Sequence, residues 1–222
     1  MKKALRKELQ KIRSLKGKEK REYIWDYYKL HIIGTIILLW ISGSIINDTI
    51  INPPPQSVLT IAWMAGFEPD DRLNALSVAL YPKLEELVEN PGRETVQVLN
   101  FFMGADPQLQ MANHHRFAAM TAANELDIII GTVVIHEEER VTLGLAPTWG
   151  LRDIRPYIPD ANADGLLFYE SEEYGKIAFA VPLEGSTFFN TLGLQTENVY
   201  LGIMVNSLRE EAVKLALHAI LP

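Results

Sequence analysis

Between His31 and Asn47 the chain runs HIIGTIILLWISGSIIN, seventeen residues without an Asp, Glu, Lys or Arg. At 1.5 Å per residue a helix over this stretch reaches roughly 26 Å, close to the ~30 Å hydrocarbon core of a bilayer. Its nine Ile and Leu residues, at about −0.3 to −0.6 kcal/mol each, favour insertion by roughly 3–5 kcal/mol. Gly34, Thr35, Ser42, Gly43 and Ser44 return part of that. A buried core helix is the alternative, and the flanks argue against it. The expectation is a single transmembrane helix over residues 31–50.

The flanks differ in charge. Residues 1–31 hold eleven Lys or Arg against four acids, and residues 32–222 hold the remaining ten against twenty-four. The basic excess lies before the apolar stretch and the acidic excess after it. By the positive-inside rule the N-terminus stays in the cytoplasm and the larger part lies outside. No nucleic acid is expected as a partner of so acidic a domain, because nothing offsets phosphate repulsion. The chain has no cysteine, so it has no disulfide, thiolate nucleophile, zinc–thiolate site or lipidated cysteine. A cleaved signal peptide competes with an anchor here. Ser42-Gly43-Ser44 offers small residues, but thirty residues ahead of the apolar run make an unusually long n-region, and no A-x-A site follows.

The remaining chain divides around this span. Residues 1–30 are basic and juxtamembrane; Leu5, Leu9, Ile12 and Leu15 recur at helical spacing up to a break at Gly17. This segment reads equally as a helix on the anionic inner leaflet or as a solvated, topology-setting stretch. Tyr23, Trp25, Tyr27 and Tyr28 suit an interfacial aromatic belt. Residues 51–57, with three consecutive prolines, form a stiff spacer. Residues 58–222 are long enough to build a hydrophobic core of their own.

That last region alternates. Strands are expected at Val58–Met64, Thr95–Phe102 and Asp127–Gly131. Helices are expected at Asp70–Asn90, with Pro82 kinking or splitting it, and at Pro107–Glu125 behind an Asp106 cap. Such alternation indicates βαβ units, hence a three-layer α/β domain with a mostly parallel sheet. Further on, the pattern gives a short helix over His136–Gly144 and a long connection over Ala146–Asp164. A hairpin of Leu166–Tyr169 with Lys176–Val181 follows, then a short helix Thr187–Leu192. A strand at Val199–Val205 and a helix Leu208–Leu221 capped by Ser207 close the domain.

The order strand–helix–strand–helix–DIIIG, then Leu151-Arg152-Asp153-Ile154, resembles the first lobe of type 2 extracytoplasmic solute-binding proteins. KIAFAVPLEGS (Lys176–Ser186) resembles the strand by which that class returns from its hinge. VYLGIMVNSLREEAVKLALHAIL resembles its closing strand and helix, with Asn206 or Ser207 beginning the helix. The layout of basic helix, WDYYK, one span and small α/β ectodomain is similar to single-pass membrane proteins of Gram-positive bacteria. The resemblance implies one lobe rather than two, since Thr132–Lys176 leaves too little room for a second.

In an open parallel sheet, ligands sit beyond the carboxyl ends of the strands. That places candidate ligand-binding residues at Gly66, Phe67, Gly104, Ala105, Gly131 and Thr132, with Thr148 contributing from a neighbouring loop. Glycines there admit close approach of backbone N–H groups to an anion or carboxylate, and they equally serve tight βα turns. Trp149 reads as a packing residue. No catalytic residue, cofactor or metal site is assigned. His114 and His115 are adjacent on a helix, so only one of them faces any one ligand; His136-Glu137-Glu138-Glu139 lacks a second histidine; Gly185-Ser186 does not match a nucleophile elbow.

The expected function is therefore a membrane-anchored extracytoplasmic binding or interaction domain without catalysis. Its expected partners are the lipid bilayer and either a small-molecule ligand or a membrane protein. An accessory subunit of a larger membrane complex and a hydrolase-like enzyme are the alternatives.

Overall fold

A computed structural model describes residues 17–51, 56–102, 104, 106–135, 141–158, 165–171 and 175–221. The basic segment ahead of Gly17, the prolines of the spacer, Ala105 and the His136–Glu139 run lie outside the described residues. The chain forms two compact units, Met1–Pro54 and Pro55–Pro222.

Among its described residues the first unit has a helix, α1 (Gly17–Ile46), continued by a wider π-type turn over Asn47–Ile51. It begins at the expected break, where Gly17 has φ +55°. Residues Trp25–Ile51 make a 27-residue run of mean hydropathy 1.8, long and apolar enough by length and composition to cross a membrane. No part of its most apolar window is buried against protein. The Thr35 hydroxyl donates to His31 O at 2.8 Å. A polar group inside the helix is thereby satisfied within it, as a lipid environment demands.

The second unit is mixed α/β. Its strands are β1 (Gln56–Met64), β2 (Glu94–Asn100), β3 (Ile128–Gly131), β4 (Val133–Ile135), β5 (Val141–Leu143), β6 (Ala146–Pro147), β7 (Leu167–Ser171), β8 (Gly175–Pro182) and β9 (Tyr200–Ile203). Its helices are α2 (Asp70–Leu80), α3 (Pro107–Ala122), α4 (Thr187–Thr191) and α5 (Glu210–Ile220). The main sheet has the order β2-β1-β3-β9-β8-β7. β2, β1 and β3 are mutually parallel, while β9 runs against both β3 and β8, and β7 runs against β8. β2, β1, β3 and β8 therefore share one direction, and the sheet is mostly parallel.

β1 shows why these residues make a central strand. Leu59, Ile61 and Trp63 pack into one apolar cluster, while the alternate Ala62 and Met64 pack into a second. Both faces are buried, which a continuous β-rich apolar run satisfies and an amphipathic one does not. The first cluster holds Leu73, Leu76 and Leu80 of α2, Phe189 of α4, and Ala212, Val213, Ala216, Leu217 and Ile220 of α5. The second holds Phe117 of α3 with Leu143, Ala146 and Leu151.

The predicted helix Asp70–Asn90 ends early. α2 stops at Leu80, and Tyr81–Lys83 and Glu85–Leu87 are separate 3-10 turns, because Pro82 has no N–H to continue the ladder. The Asp106 cap forms as expected: its Oδ1 accepts from Gln108 N at 2.9 Å, with Pro107 opening α3.

Two expectations are corrected. Val141–Leu143 is strand, not helix: Val141, Thr142 and Leu143 pair with Ile135, Val134 and Val133 of β4. Cross-strand pairing of β-branched side chains outweighs the helix signal of the acidic run before them. Ser207 does not cap the last helix. α5 starts at Glu210 behind Arg209, and the Ser207 hydroxyl donates to Asp127 Oδ1 at 2.7 Å instead.

Candidate functional site

Because β1, β2 and β3 are parallel, their carboxyl ends fall on one edge, with Trp63 beside Asn100 and Met64 beside Gly131. The loops bearing Gly66, Phe67, Gly104, Gly131 and Thr132 are thus brought to the same end of the sheet. Ala105 lies outside the described residues.

The three glycines serve different purposes there. Gly131 is buried, and a Cβ on it would lie 3.3 Å from both Gly144 N and Met64 Cβ. Gly144 has φ +56° and no room for a side chain against Met64. Its N–H donates to Thr132 O at 2.9 Å, and Leu145 N donates to Met64 Sδ at 3.2 Å. The turn between β5 and β6 therefore fills the space above the end of β3. Gly66 is open, with no atom within 4 Å of where its Cβ would stand, and its carbonyl accepts from Trp63 Nε1 at 3.2 Å. The Gly104 carbonyl accepts from Gln110 Nε2 at 2.6 Å.

Side-chain amides wire these loops together. Asn100 accepts from Phe102 N at 2.9 Å and donates to Glu68 O at 3.1 Å. Asn113 donates to Phe102 O at 2.9 Å from α3. The largely buried Glu68 carboxylate pairs with Arg72 at 3.2 Å, and Arg72 also donates to Gly193 O. On this frame Phe67, 68% exposed, meets Phe102 edge to face at 5.8 Å. Beyond Gly131, Val134 and Ile135 of β4 are exposed as well. The edge presents an aromatic pair on hydrogen-bonded loops, and the sequence named only Phe67 of that pair. Phe102 follows the end of β2 beside the completely buried Phe101 and is itself half-buried, a placement that no local pattern marks.

Thr148 is not part of this edge. It opens the turn Thr148–Gly150, and the Gly150 carbonyl accepts from Val205 N at 3.0 Å. Val205 follows Met204, whose N–H donates to Asp127 O at the amino end of β3. Trp149 does not pack; it is 76% exposed.

The opposite end carries the charged chemistry that sequence patterning missed. Asp127 is fully buried and accepts from Thr60 N at 2.8 Å, Ser207 Oγ at 2.7 Å and Arg209 Nη1 at 2.9 Å. Arg152 donates to Tyr157 Oη at 2.6 Å, to Glu210 Oε1 at 2.5 Å, and to the carbonyls of Val205 and Ser207. Partial burial opposes the Arg152 charge, but the Tyr157 and Glu210 hydrogen bonds outweigh it and hold its pKa above the ordinary value. The Arg155 guanidinium holds the Asp153 carboxyl below the usual carboxylate range, again against partial burial. These groups satisfy one another.

Two open grooves of about 610 and 500 Å³ lie away from the carboxyl ends of the strands, the larger beside Arg209 and Glu210. One is lined by Gln56, Glu89, Glu94 and Leu208, the other by Lys83, Phe188, Leu215 and His218. Neither includes a predicted ligand residue. Among the described residues no three His, Cys, Asp or Glu cluster to hold a metal ion. His114 and His115 are both exposed on α3. The Ser186 hydroxyl is buried and donates to Ile220 O at 2.7 Å, tying the start of α4 to the end of α5.

No protein-family model, curated protein or solved structure matches this chain.

Proposed function

We propose that the chain is a single-pass membrane protein. Its N-terminus lies in the cytoplasm, and its three-layer α/β domain, of the one-lobe solute-binding type, docks another protein outside the membrane. The observation that carries this reading is the edge described above. The small-ligand cradle over Gly131 is occupied by the Gly144 turn, while Phe67 stands exposed against the half-buried Phe102 on loops braced by Asn100, Gln110 and Asn113. An exposed aromatic on a rigid frame is a usual anchor of a protein interface. The partner surface is apolar, with a pocket able to accept an aromatic ring. The charge asymmetry across α1 supports the orientation.

A photo-crosslinking amino acid placed at position 67, 102 or 125 in intact cells tests this. Glu125 is exposed and close in sequence to Asp127, at the other end of the sheet. A discrete protein adduct from positions 67 and 102, absent from 125, is expected. Equal labelling from all three, or none from 67 and 102, rejects the docking edge.

A further inference from the structure

The small sheet β4-β5-β6 ends in two edges of different character. β6 carries Pro147, which has no N–H to offer a further strand. The outer strands of the main sheet carry charge, Glu94 on β2 and Glu170 on β7. Such residues keep sheet edges from pairing with another chain. β4 is Val133-Val134-Ile135, without charge or proline, and among the described residues it pairs with β5 alone.

The register fixes where its free backbone groups point. Gly144 N donates to Thr132 O at 2.9 Å, and Leu143 pairs with Ala146 across a two-residue turn, which turns the N–H and C=O of Leu143 toward β6. On both counts Val134 faces Thr142 as the hydrogen-bonded pair, and Val133 and Ile135 turn their N–H and C=O away from β5. Side chains alternate as well. Val133 and Val141 pack against the second apolar cluster. Ile135, opposite Val141 and two residues from Val133, shares their face yet is 74% exposed. The apolar layer therefore runs past the last strand uncovered.

We infer that β4 pairs antiparallel with β4 of a second copy of this chain, about a twofold axis at Val134, so that the two small sheets become one. The inference goes beyond the docking edge proposed above and stands without it. The free groups choose the occupant. Val133 and Ile135 each offer an N–H and a C=O, and a reversed copy offers the same set in the opposite order. Val133 of each copy then meets Ile135 of the other, and every one of these groups finds a partner. A longer foreign strand would leave its own groups unpaired beyond this short edge. The side chains agree with the backbone. Ile135 of each copy comes to lie beside the half-buried Val133 of the other, which continues the apolar layer over the exposed side chain. The paired stretch is uncharged, so no like charges meet across the axis. So short a contact makes a transient dimer, best caught by a covalent trap.

The absence of cysteine makes the test clean. The full-length chain carries one cysteine at a time, Val133→Cys, Val134→Cys, Ile135→Cys or, off the strand, Glu125→Cys, and expressing cells are oxidised with copper–phenanthroline. In the proposed register Val134 faces itself as a non-hydrogen-bonded pair, with Cα atoms ~4.5 Å apart, a separation that a disulfide spans. A disulfide-linked dimer is expected from Val134→Cys and not from Val133→Cys or Ile135→Cys alone, since each of those faces the other residue. Co-expression of those two restores it. Val134 and Ile135 are both exposed, so the core is untouched when Val134→Cys is combined with Ile135→Lys; that charge at the edge is expected to cut the dimer yield by about fivefold or more. No dimer from Val134→Cys, or equal yields from all four positions, overturns the inference. A Val134→Cys disulfide to a different protein assigns the edge to a foreign strand and overturns the pairing of copies.

Discussion

Nη1 of Arg209, at the start of the last helix, lies 2.9 Å from Oδ2 of Asp127, which precedes the third strand and has no exposed surface. One carboxylate thereby joins β1, through Thr60 N, to the segment between β9 and α5. The two partners are unequal, since the Arg209 side chain is 29% exposed and can turn to water when released.

Asp127→Ala is expected to destabilise the domain by about 2–4 kcal/mol, because it orphans the Thr60 N–H and the Ser207 hydroxyl while the released Arg209 turns to water. Arg209→Ala strips the counter-ion from a fully buried carboxylate and is expected to cost about 3–5 kcal/mol. Denaturant titration of the two variants checks this; a loss below about 1 kcal/mol for Arg209→Ala contradicts the account.

Gly144→Ala is expected to cost about 2–4 kcal/mol. The residue has φ +56° and a methyl there meets Met64, so left-handed strain adds to overpacking. Gly92→Ala also sits at positive φ but meets no atom within 4 Å, and is expected to show the backbone strain alone. Paired unfolding curves separate the steric part.

Phe67→Ala is expected to change stability by no more than about 1 kcal/mol, the scale of one exposed edge-to-face pair. Trp63→Ala, in the core against Phe189, is expected to cost about 3–5 kcal/mol. Loss of crosslinking in Phe67→Ala with unchanged thermal unfolding would identify the side chain as part of an interface.

The lowered Asp153 pKa fixes the sign of one pH effect. A carboxyl held below its unfolded value contributes stability above about pH 4, and loses it as the pH falls through the folded value. Arg155→Gln is therefore expected to lower the urea midpoint at neutral pH and to converge on the parent protein as the pH falls through the folded value. A difference that stays constant through acid titration contradicts the pairing.

Impermeant maleimide is expected to label Glu125→Cys in intact cells and Lys18→Cys only after permeabilisation, as the proposed orientation requires. The reverse pattern inverts it.

Local patterning made the first half of the domain legible. Val58–Met64 and Asp127–Gly131 are continuous apolar runs, and the Asp106-Pro107 pair marks a helix start by chemistry confined to a few residues. The hairpin of β7 and β8 was readable for the same reason. What stayed hidden depends on partners far along the chain. Ser207 looks like a cap until Asp127, eighty residues earlier, takes its hydroxyl. Val141–Leu143 follows an acidic run, and pairing with β4 and β6 makes it a strand. At the candidate edge, the sequence located Gly131 but not the Gly144 turn that closes over it.

The position of β9 between β3 and β8 bears on how such a domain is made. Its four residues come after those of every other strand, yet they lie in the interior of the sheet. Until Tyr200–Ile203 has emerged, β3 and β8 are open edges and the two halves of the sheet have nothing to zip them together, a condition that invites mispairing. Ribosome- or translocon-stalled chains ending ahead of Val199 should stay protease-sensitive throughout, and resistance should arrive in one step once β9 is added.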